Sequence, residues 1–167
     1  PAPCGRVRLR TYPGMACGTG AHPATQLCLQ AMERYPLEGK RVLDVGTGSG
    51  ILAQAARLLG GYPVIGCDID HASTLVAAVN IGKSILPVAL FTGSVRSVKS
   101  GAIDLVLANL NAATLKQIAG DLNRIAAPAA VLILSGFLHS EAQAVAEAVG
   151  RVPREALQLH EWSCLVL

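Results

Sequence analysis

The sequence predicts an α/β domain with a doubly wound, mostly parallel sheet of seven strands, an antiparallel strand at its C-terminal end and helices on both faces. Three observations carry this. Short apolar runs alternate with helical patterns along most of the chain, as βαβ units do. Val42-Leu43-Asp44-Val45-Gly46-Thr47-Gly48-Ser49-Gly50 joins a strand to a helix through three glycines at alternate positions. Pro63-Val64-Ile65-Gly66-Cys67-Asp68 is a second apolar run, ending in an acid 18 residues past Gly50.

Taken in order, residues 1–21 are rich in turn residues and form a lead-in segment folded over the site, anchored by Met15, Ala16 and Cys17. The main domain is residues 22–167. Pro23 suits the first position of a helix, and Leu27, Cys28, Ala31 and Met32 give that helix an apolar face. Thr25 falls in its first turn. The helix after the glycine loop runs to about Leu59 and exits through Gly60-Gly61. A helix from about His71 to Gly82 turns Leu75, Val76 and Val79 inward, and Val88–Phe91 is the third strand. Ile103–Asn109 is the fourth, with Asn109 at its carboxyl end and Asn111 capping the next helix, which Pro128 closes. Ala130–Leu134 reads as a central parallel strand that Ser135-Gly136 ends. Glu141–Val149 is helical, and Leu157–His160 and Cys164–Leu167 form an antiparallel pair joined near Trp162-Ser163.

Composition bounds the function. At 167 residues the chain is one domain by size, and 51% hydrophobic residues supply a sizeable core. Aromatics are only 4% and the net charge is +3, which argues against stacking on nucleic-acid bases. Arg6, Arg8 and Arg10 alternate with Val7 and Leu9 as one solvated strand face. The five cysteines (Cys4, Cys17, Cys28, Cys67 and Cys164) contain no C-x-x-C pair, so reduced thiols in a cytoplasmic protein are expected. No apolar run reaches membrane-spanning length. His22, His71, His139 and His160 show no metal-ligand spacing, and no metal is expected.

The glycine loop and Asp68 together form a nucleotide site. Glycine lets the backbone turn tightly and approach a ligand, and the helix start presents N–H groups to it. An acid at the end of the neighbouring strand accepts hydrogen bonds from ribose hydroxyls. An adenosine-containing cofactor follows. Gly48-Ser49-Gly50-Ile51-Leu52-Ala53 also satisfies the dinucleotide pattern G-x-G-x-x-A. Asp44 argues against a nicotinamide dinucleotide, because a carboxylate beside the loop repels a pyrophosphate and suits a cationic ligand.

Asp44–Gly50 resembles the nucleotide loop of class I S-adenosylmethionine-dependent methyltransferases. Gly14-Met15-Ala16-Cys17-Gly18-Thr19-Gly20-Ala21-His22-Pro23-Ala24-Thr25 resembles a signature of the family that methylates ribosomal large-subunit protein eleven. The likeness continues through Gly66–Asp70, Ala108-Asn109-Leu110, Leu134-Ser135-Gly136 and Glu161-Trp162. It implies a Rossmann-like methyltransferase fold, S-adenosyl-L-methionine as cofactor, and N-methylation of amino groups on a protein substrate such as a ribosomal protein. A small-molecule acceptor stays open, and neither nucleic acid nor membrane is an expected partner. The implied cofactor contacts are Thr25, Gly46, Asp68 and Asn109; the loop reading adds Asp44 and Gly48. Asn109 can also accept a hydrogen bond from the acceptor amine, and His22 is a candidate base. Ser94 stands where many methyltransferases hold the adenine amine with an acid. Two departures stand out. Cys17 replaces the family's Phe, and the family's amino-terminal recognition domain has no counterpart in these residues. A non-catalytic cofactor-holding or interaction module is the alternative, with an NAD-dependent oxidoreductase behind it.

Overall fold

The computed structural model describes Leu9, residues 20–82 and residues 87–167. The readings of residues 1–8 and 10–19, including Arg6, Arg8, Arg10 and the anchors Met15, Ala16 and Cys17, lie outside the described residues. The elements run α1 (Pro23–Glu33), β1 (Val42–Val45), α2 (Ile51–Leu58), β2 (Val64–Asp68), α3 (His71–Ile81), β3 (Ala89–Thr92), β4 (Ile103–Asn109), α4 (Ala112–Ile125), β5 (Ala126–Leu138), α5 (Ala142–Val149), β6 (Glu155–Leu159) and β7 (Trp162–Val166). They build one seven-stranded sheet in the order β3-β2-β1-β4-β5-β7-β6. β7 is antiparallel to both β5 and β6, while the other neighbours are parallel.

β1 lies between β2 and β4, so the chain reverses its direction of winding there. In open α/β sheets, ligands bind outside the carboxyl ends of the strands at that switch point. The two sheet faces bury separate apolar clusters. Val42, Val64, Leu105, Leu107, Ile133 and Val166 face α1 and α2. Leu43, Val45, Val106, Leu132, Leu134 and Phe137 face α4 and α5. Strands buried on both faces explain the continuous apolar runs of β4 and β5.

Four expectations about individual elements are corrected. α3 turns the other way: Thr74, Ala77, Asn80 and Ile81 are buried, while Leu75 and Val79 are 55% and 59% exposed. Its polar residues choose the face. Thr74 Oγ1 meets Thr92 Oγ1 at 2.7 Å, Asn80 Nδ2 donates to the Ser49 carbonyl at 2.9 Å, and Ala77 packs under Gly50. α4 ends at Ile125 rather than at Pro128, and β5 begins at once. Pro128 sits in that strand where its register against β4 shifts, at a position where no ladder N–H is needed. β5 also continues past Ser135-Gly136 to Leu138, with a second register shift against β7. The C-terminal turn is at His160-Glu161, with His160 left-handed at φ 54°, so Trp162 opens β7 and pairs with Leu159.

Among the described residues the β3–β4 connection carries only the 3₁₀ turn Val95–Ser97. Arg124 of α4 supports it by donating to the carbonyls of Val95, Arg96 and Val98 at 3.2, 3.3 and 2.7 Å. Beside it a cavity of about 530 Å³ is lined by Ile65, Phe91, Val98 and Ala102 and by the starts of β1, β2 and β4. This cavity is at the opposite end of the strands from Asp68 and Asn109.

The reversed face of α3 separates two substitutions. Leu75→Ser should change stability by less than about 0.5 kcal/mol, whereas Ile81→Ala should cost about 2–5 kcal/mol. Urea unfolding at low protein concentration measures both, and a cost for Leu75→Ser matching that of Ile81→Ala would restore the inward reading.

Candidate functional site

The site is built from the carboxyl ends of β1, β2, β4 and β5 and the first turn of α1. Gly46, Gly48 and Gly50 all have positive φ, at 71°, 53° and 79°. The loop is bonded to β2 along its length. The Gly46 and Thr47 N–H groups donate to the Cys67 carbonyl at 2.8 and 2.9 Å, and the Gly48 N–H donates to Asp68 Oδ2 at 3.0 Å. A side chain at Gly46 would place its Cβ 2.5 Å from Leu110 Cδ2. At Gly66 a Cβ would stand 2.8 Å from Thr47 Oγ1. The loop therefore nests between β2 and the residue after β4.

Asp44 lies beneath the loop and is 1% exposed. Its Oδ2 accepts from Thr47 Oγ1 at 2.7 Å and from the Ala53 N–H in the first turn of α2 at 3.1 Å. Its Oδ1 has no hydrogen-bond partner. Burial pushes the Asp44 carboxyl up to about 6, against the two hydrogen bonds that hold it down, and the charge of Asp68 adds a little. Burial likewise pushes the Cys67 thiol up to about 12, which makes it an inert part of the core.

Asp68 ends β2 partly exposed. Oδ2 accepts from Gly48 and Oδ1 from the Asp70 N–H at 3.0 Å. Each oxygen keeps a further lone pair, so a vicinal diol can bind without breaking either bond. Asn109 ends β4 opposite Ser135 of β5. Its Nδ2 donates to Thr25 Oγ1 at 3.1 Å. That bond turns Oδ1 toward Gly136, where a Cβ would stand 2.8 Å from Oδ1 and 2.7 Å from both the backbone N and O of Leu110. Gly136 has φ 95° and meets both demands of its place, a left-handed backbone and an empty side-chain position.

A family model described as ribosomal protein L11 methyltransferase (PrmA) matches residues 2–167. The chain belongs to that family. A ribosomal protein L11 methyltransferase from Geobacter sulfurreducens is 47% identical over 161 residues, covering 92% of this chain and 52% of that protein. The chain thus spans about half the length of the curated relatives it matches. The crystal structure of a ribosomal protein L11 methylase from Lactobacillus delbrueckii subsp. bulgaricus superposes with TM-score 0.85 at 30% identity, over 95% of this chain and 82% of that one. An S-adenosylmethionine-dependent methyltransferase from Aquifex aeolicus shares the fold at TM-score 0.69 and 16% identity, over 83% and 87% of the two chains. The Rossmann-like methyltransferase fold is that of this family.

Asp44, Gly46, Gly48 and Asp68 converge around one loop, and Thr25 and Asn109 meet beside it. Thr25 spends its hydroxyl on Asn109 rather than on its own helix start. His22 Nδ1 accepts the Ala24 N–H at 3.2 Å and caps α1, and its ring meets the edge of Trp162 with centroids 4.5 Å apart. One nitrogen of the candidate base is thus committed to the helix. Ser94 Oγ accepts from the Arg96 N–H at 3.2 Å, capping its own turn. Asn111 caps α4 as expected, accepting from the Thr114 N–H at 2.8 Å. Sequence reasoning put Ser135-Gly136 on the same edge as Asn109 but missed Gly136 as the residue that makes room for its side chain.

Two outcomes follow. Gly136→Ala should destabilise by about 1–3 kcal/mol, as strained backbone positions do. Gly120→Ala in the unobstructed outer face of α4 should instead gain up to about 1 kcal/mol. Chemical denaturation of the pair checks this, and equal effects would mean that Gly136 is not constrained. The second concerns pH. Asp44 holds its proton to about pH 6 when folded but only to about 3.9 when unfolded. The favourable contribution is present below the unfolded value and is lost as pH rises through 6. The stability of wild type relative to Asp44→Asn should therefore fall by roughly 2 kcal/mol between pH 4 and pH 7. A difference that is flat with pH would show that Asp44 is ionised throughout.

Proposed function

We propose that this chain is the catalytic domain of an S-adenosylmethionine-dependent protein N-methyltransferase, acting on an amino group of a ribosomal-protein-like substrate. One observation carries the reading: a loop held at positive φ by Gly46, Gly48 and Gly50 lies between two carboxylates, and one oxygen of the buried one is unpartnered. This suits a ligand with a ribose and positive charge but no phosphate. Asp68 holds the ribose hydroxyls. The backbone at Gly46 and Gly48 approaches the cofactor closely. The negative field of Asp44 reaches the cationic end through the loop, and Thr25 and Asn109 border that end.

When bound, the cofactor supplies an activated methyl group on a sulfonium. The protein's task is alignment. Thr25 orients the Asn109 amide so that Oδ1, beside the bare Cα of Gly136, accepts an N–H of the incoming amine. That bond points the nitrogen lone pair along the transfer axis. Such positioning supplies roughly 7–11 kcal/mol of barrier reduction. The amine must arrive neutral, and its proton passes to solvent.

Calorimetric titration with S-adenosylhomocysteine tests the cofactor class, with NAD as control. Micromolar binding of the first and none of the second is expected. Asp68→Ala should weaken that binding at least about tenfold, since each hydrogen bond to a charged group contributes roughly 1.5–3 kcal/mol. A folded chain that binds NAD, or neither ligand, would refute the reading.

A further inference from the structure

Where α3 begins beside the end of β3, a chain of three hydrogen bonds fixes the state of one imidazole. Thr74 Oγ1 donates to the His71 carbonyl at 2.8 Å. Thr74 Oγ1 also meets Thr92 Oγ1 at 2.7 Å, and Thr92 Oγ1 meets His71 Nδ1 at 3.1 Å. A carbonyl only accepts, and a hydroxyl has a single proton to give. The Thr74 proton is therefore spent on the carbonyl, and Thr92 donates to Thr74. The Thr92 proton is then spent as well, so the bond between Thr92 and the ring is donated by Nδ1. In the neutral imidazole the other nitrogen, Nε2, is then a bare acceptor. His71 is exposed, and among the described residues its Nε2 has no hydrogen-bond partner.

That acceptor stands at the strand end toward which the base of an adenosine extends. The cationic end of the ligand borders Thr25 and Asn109 at β4, the loop after β1 comes next, and Asp68 of β2 takes the ribose. A ligand laid across the strand ends in that order continues past its ribose toward β3. Thr92 is the register partner of Asp68, one strand spacing of about 4.8 Å away. Ile69, directly after Asp68, is 82% exposed and offers an apolar surface to a flat ring at this rim. The polar groups around it are otherwise occupied. The Gly93 N–H donates to the Asp68 carbonyl at 2.8 Å, and Ser94 Oγ accepts from the Arg96 N–H. The Asp70 carboxylate accepts from the Ala72 and Ser73 N–H groups and from Ser73 Oγ. His71 Nε2 is the side-chain acceptor here that no described residue occupies.

We propose that His71 Nε2 reads the 6-amino group of the cofactor's adenine, with Thr92 as the positioning residue that keeps the ring in its accepting tautomer. The inference rests on the cofactor reading above and adds base specificity to it. An amine at the 6-position donates to Nε2. A carbonyl oxygen there, as in hypoxanthine or guanine, sets lone pair against lone pair. Turning Nε2 into a donor would take the proton from Nδ1, and Thr92 would then have to give up its bond to Thr74. The hydrogen-bond chain thus holds the ring against the 6-oxo purines. A site that offers a polar group of one sense discriminates far more strongly than an apolar pocket of the same shape.

Calorimetric titration of the whole chain with S-adenosylhomocysteine and with S-inosylhomocysteine, whose 6-position is a carbonyl, tests this. The wild type should prefer the adenine ligand at least about tenfold. His71→Ala should reduce the preference to below about threefold, chiefly by weakening the adenine ligand. Thr92→Val keeps the imidazole but removes the hydroxyl that sets its tautomer, and should reduce the preference in the same direction. Nitrogen-15 NMR of the wild-type chain supplies a readout that depends on no variant. At about pH 8, above the ordinary imidazole range, His71 should show a protonated Nδ1 and a bare Nε2. Saturation with S-adenosylhomocysteine should then move the Nε2 resonance and leave the Nδ1 resonance in place. Binding of that ligand with no movement at Nε2 overturns the proposal and leaves the cofactor reading standing. So does a free chain protonated at Nε2, or a preference that a folded His71→Ala chain retains. Binding of neither ligand overturns both.

Discussion

The carboxylate of Asp44 is buried in an apolar layer, and the geometry of the site follows from how it is accommodated. A buried charge is costly unless bonded. Here the bonds come from Thr47 in the loop and from Ala53 in the helix beyond it. Those two donors bracket Gly48 and Gly50, so the loop's curvature is fixed at both ends by one side chain. The loop in turn positions its neighbours. Gly48 holds Asp68 through its N–H, and Gly46 receives Leu110 against its bare Cα. Three parallel strands are thus registered to one carboxylate at the end where a ligand binds.

The second half of the site is organised by packing rather than by charge. β5 passes through a left-handed glycine where it meets the turn after β4. The Leu110 N–H bonds the Ser135 carbonyl at 2.9 Å, and Ser135 Oγ reaches the Ser163 carbonyl at 2.7 Å. The amide of Asn109 is therefore held from three directions: its own strand, the gap at Gly136 and the hydroxyl of Thr25. A short polar side chain at a strand end keeps one orientation only under such restraint.

How much of this was legible depended on whether the signal was local. The loop and Asp68 were readable because glycine spacing and a terminal acid lie within one βαβ unit. The seven strands and the lone antiparallel one were readable from apolar runs and their lengths. α3 was not, since Leu75, Val76 and Val79 obey helical spacing as well as any buried set. Its orientation was settled by Thr74 and Asn80 finding polar partners and by Ala77 fitting Gly50, none of which periodicity counts. The Thr25–Asn109 bond joins residues far apart in the chain, and nothing near either one announces the other. The limits of β5 were obscured by Pro128 and Gly136, residues that normally punctuate and here sit inside a strand at its register shifts.

The ring contact between His22 and Trp162 joins the two ends of the described domain. His22 starts the helix that presents Thr25, and Trp162 begins the last strand. During synthesis the first-made wall of the pocket must wait for the last-made one. Contacts of such long sequence separation form late, because the intervening chain must already be ordered. The nucleotide half, contained within β1, α2 and β2, has no such delay. The domain therefore acquires its loop early and the Thr25–Asn109 side of its pocket only when its final hairpin closes.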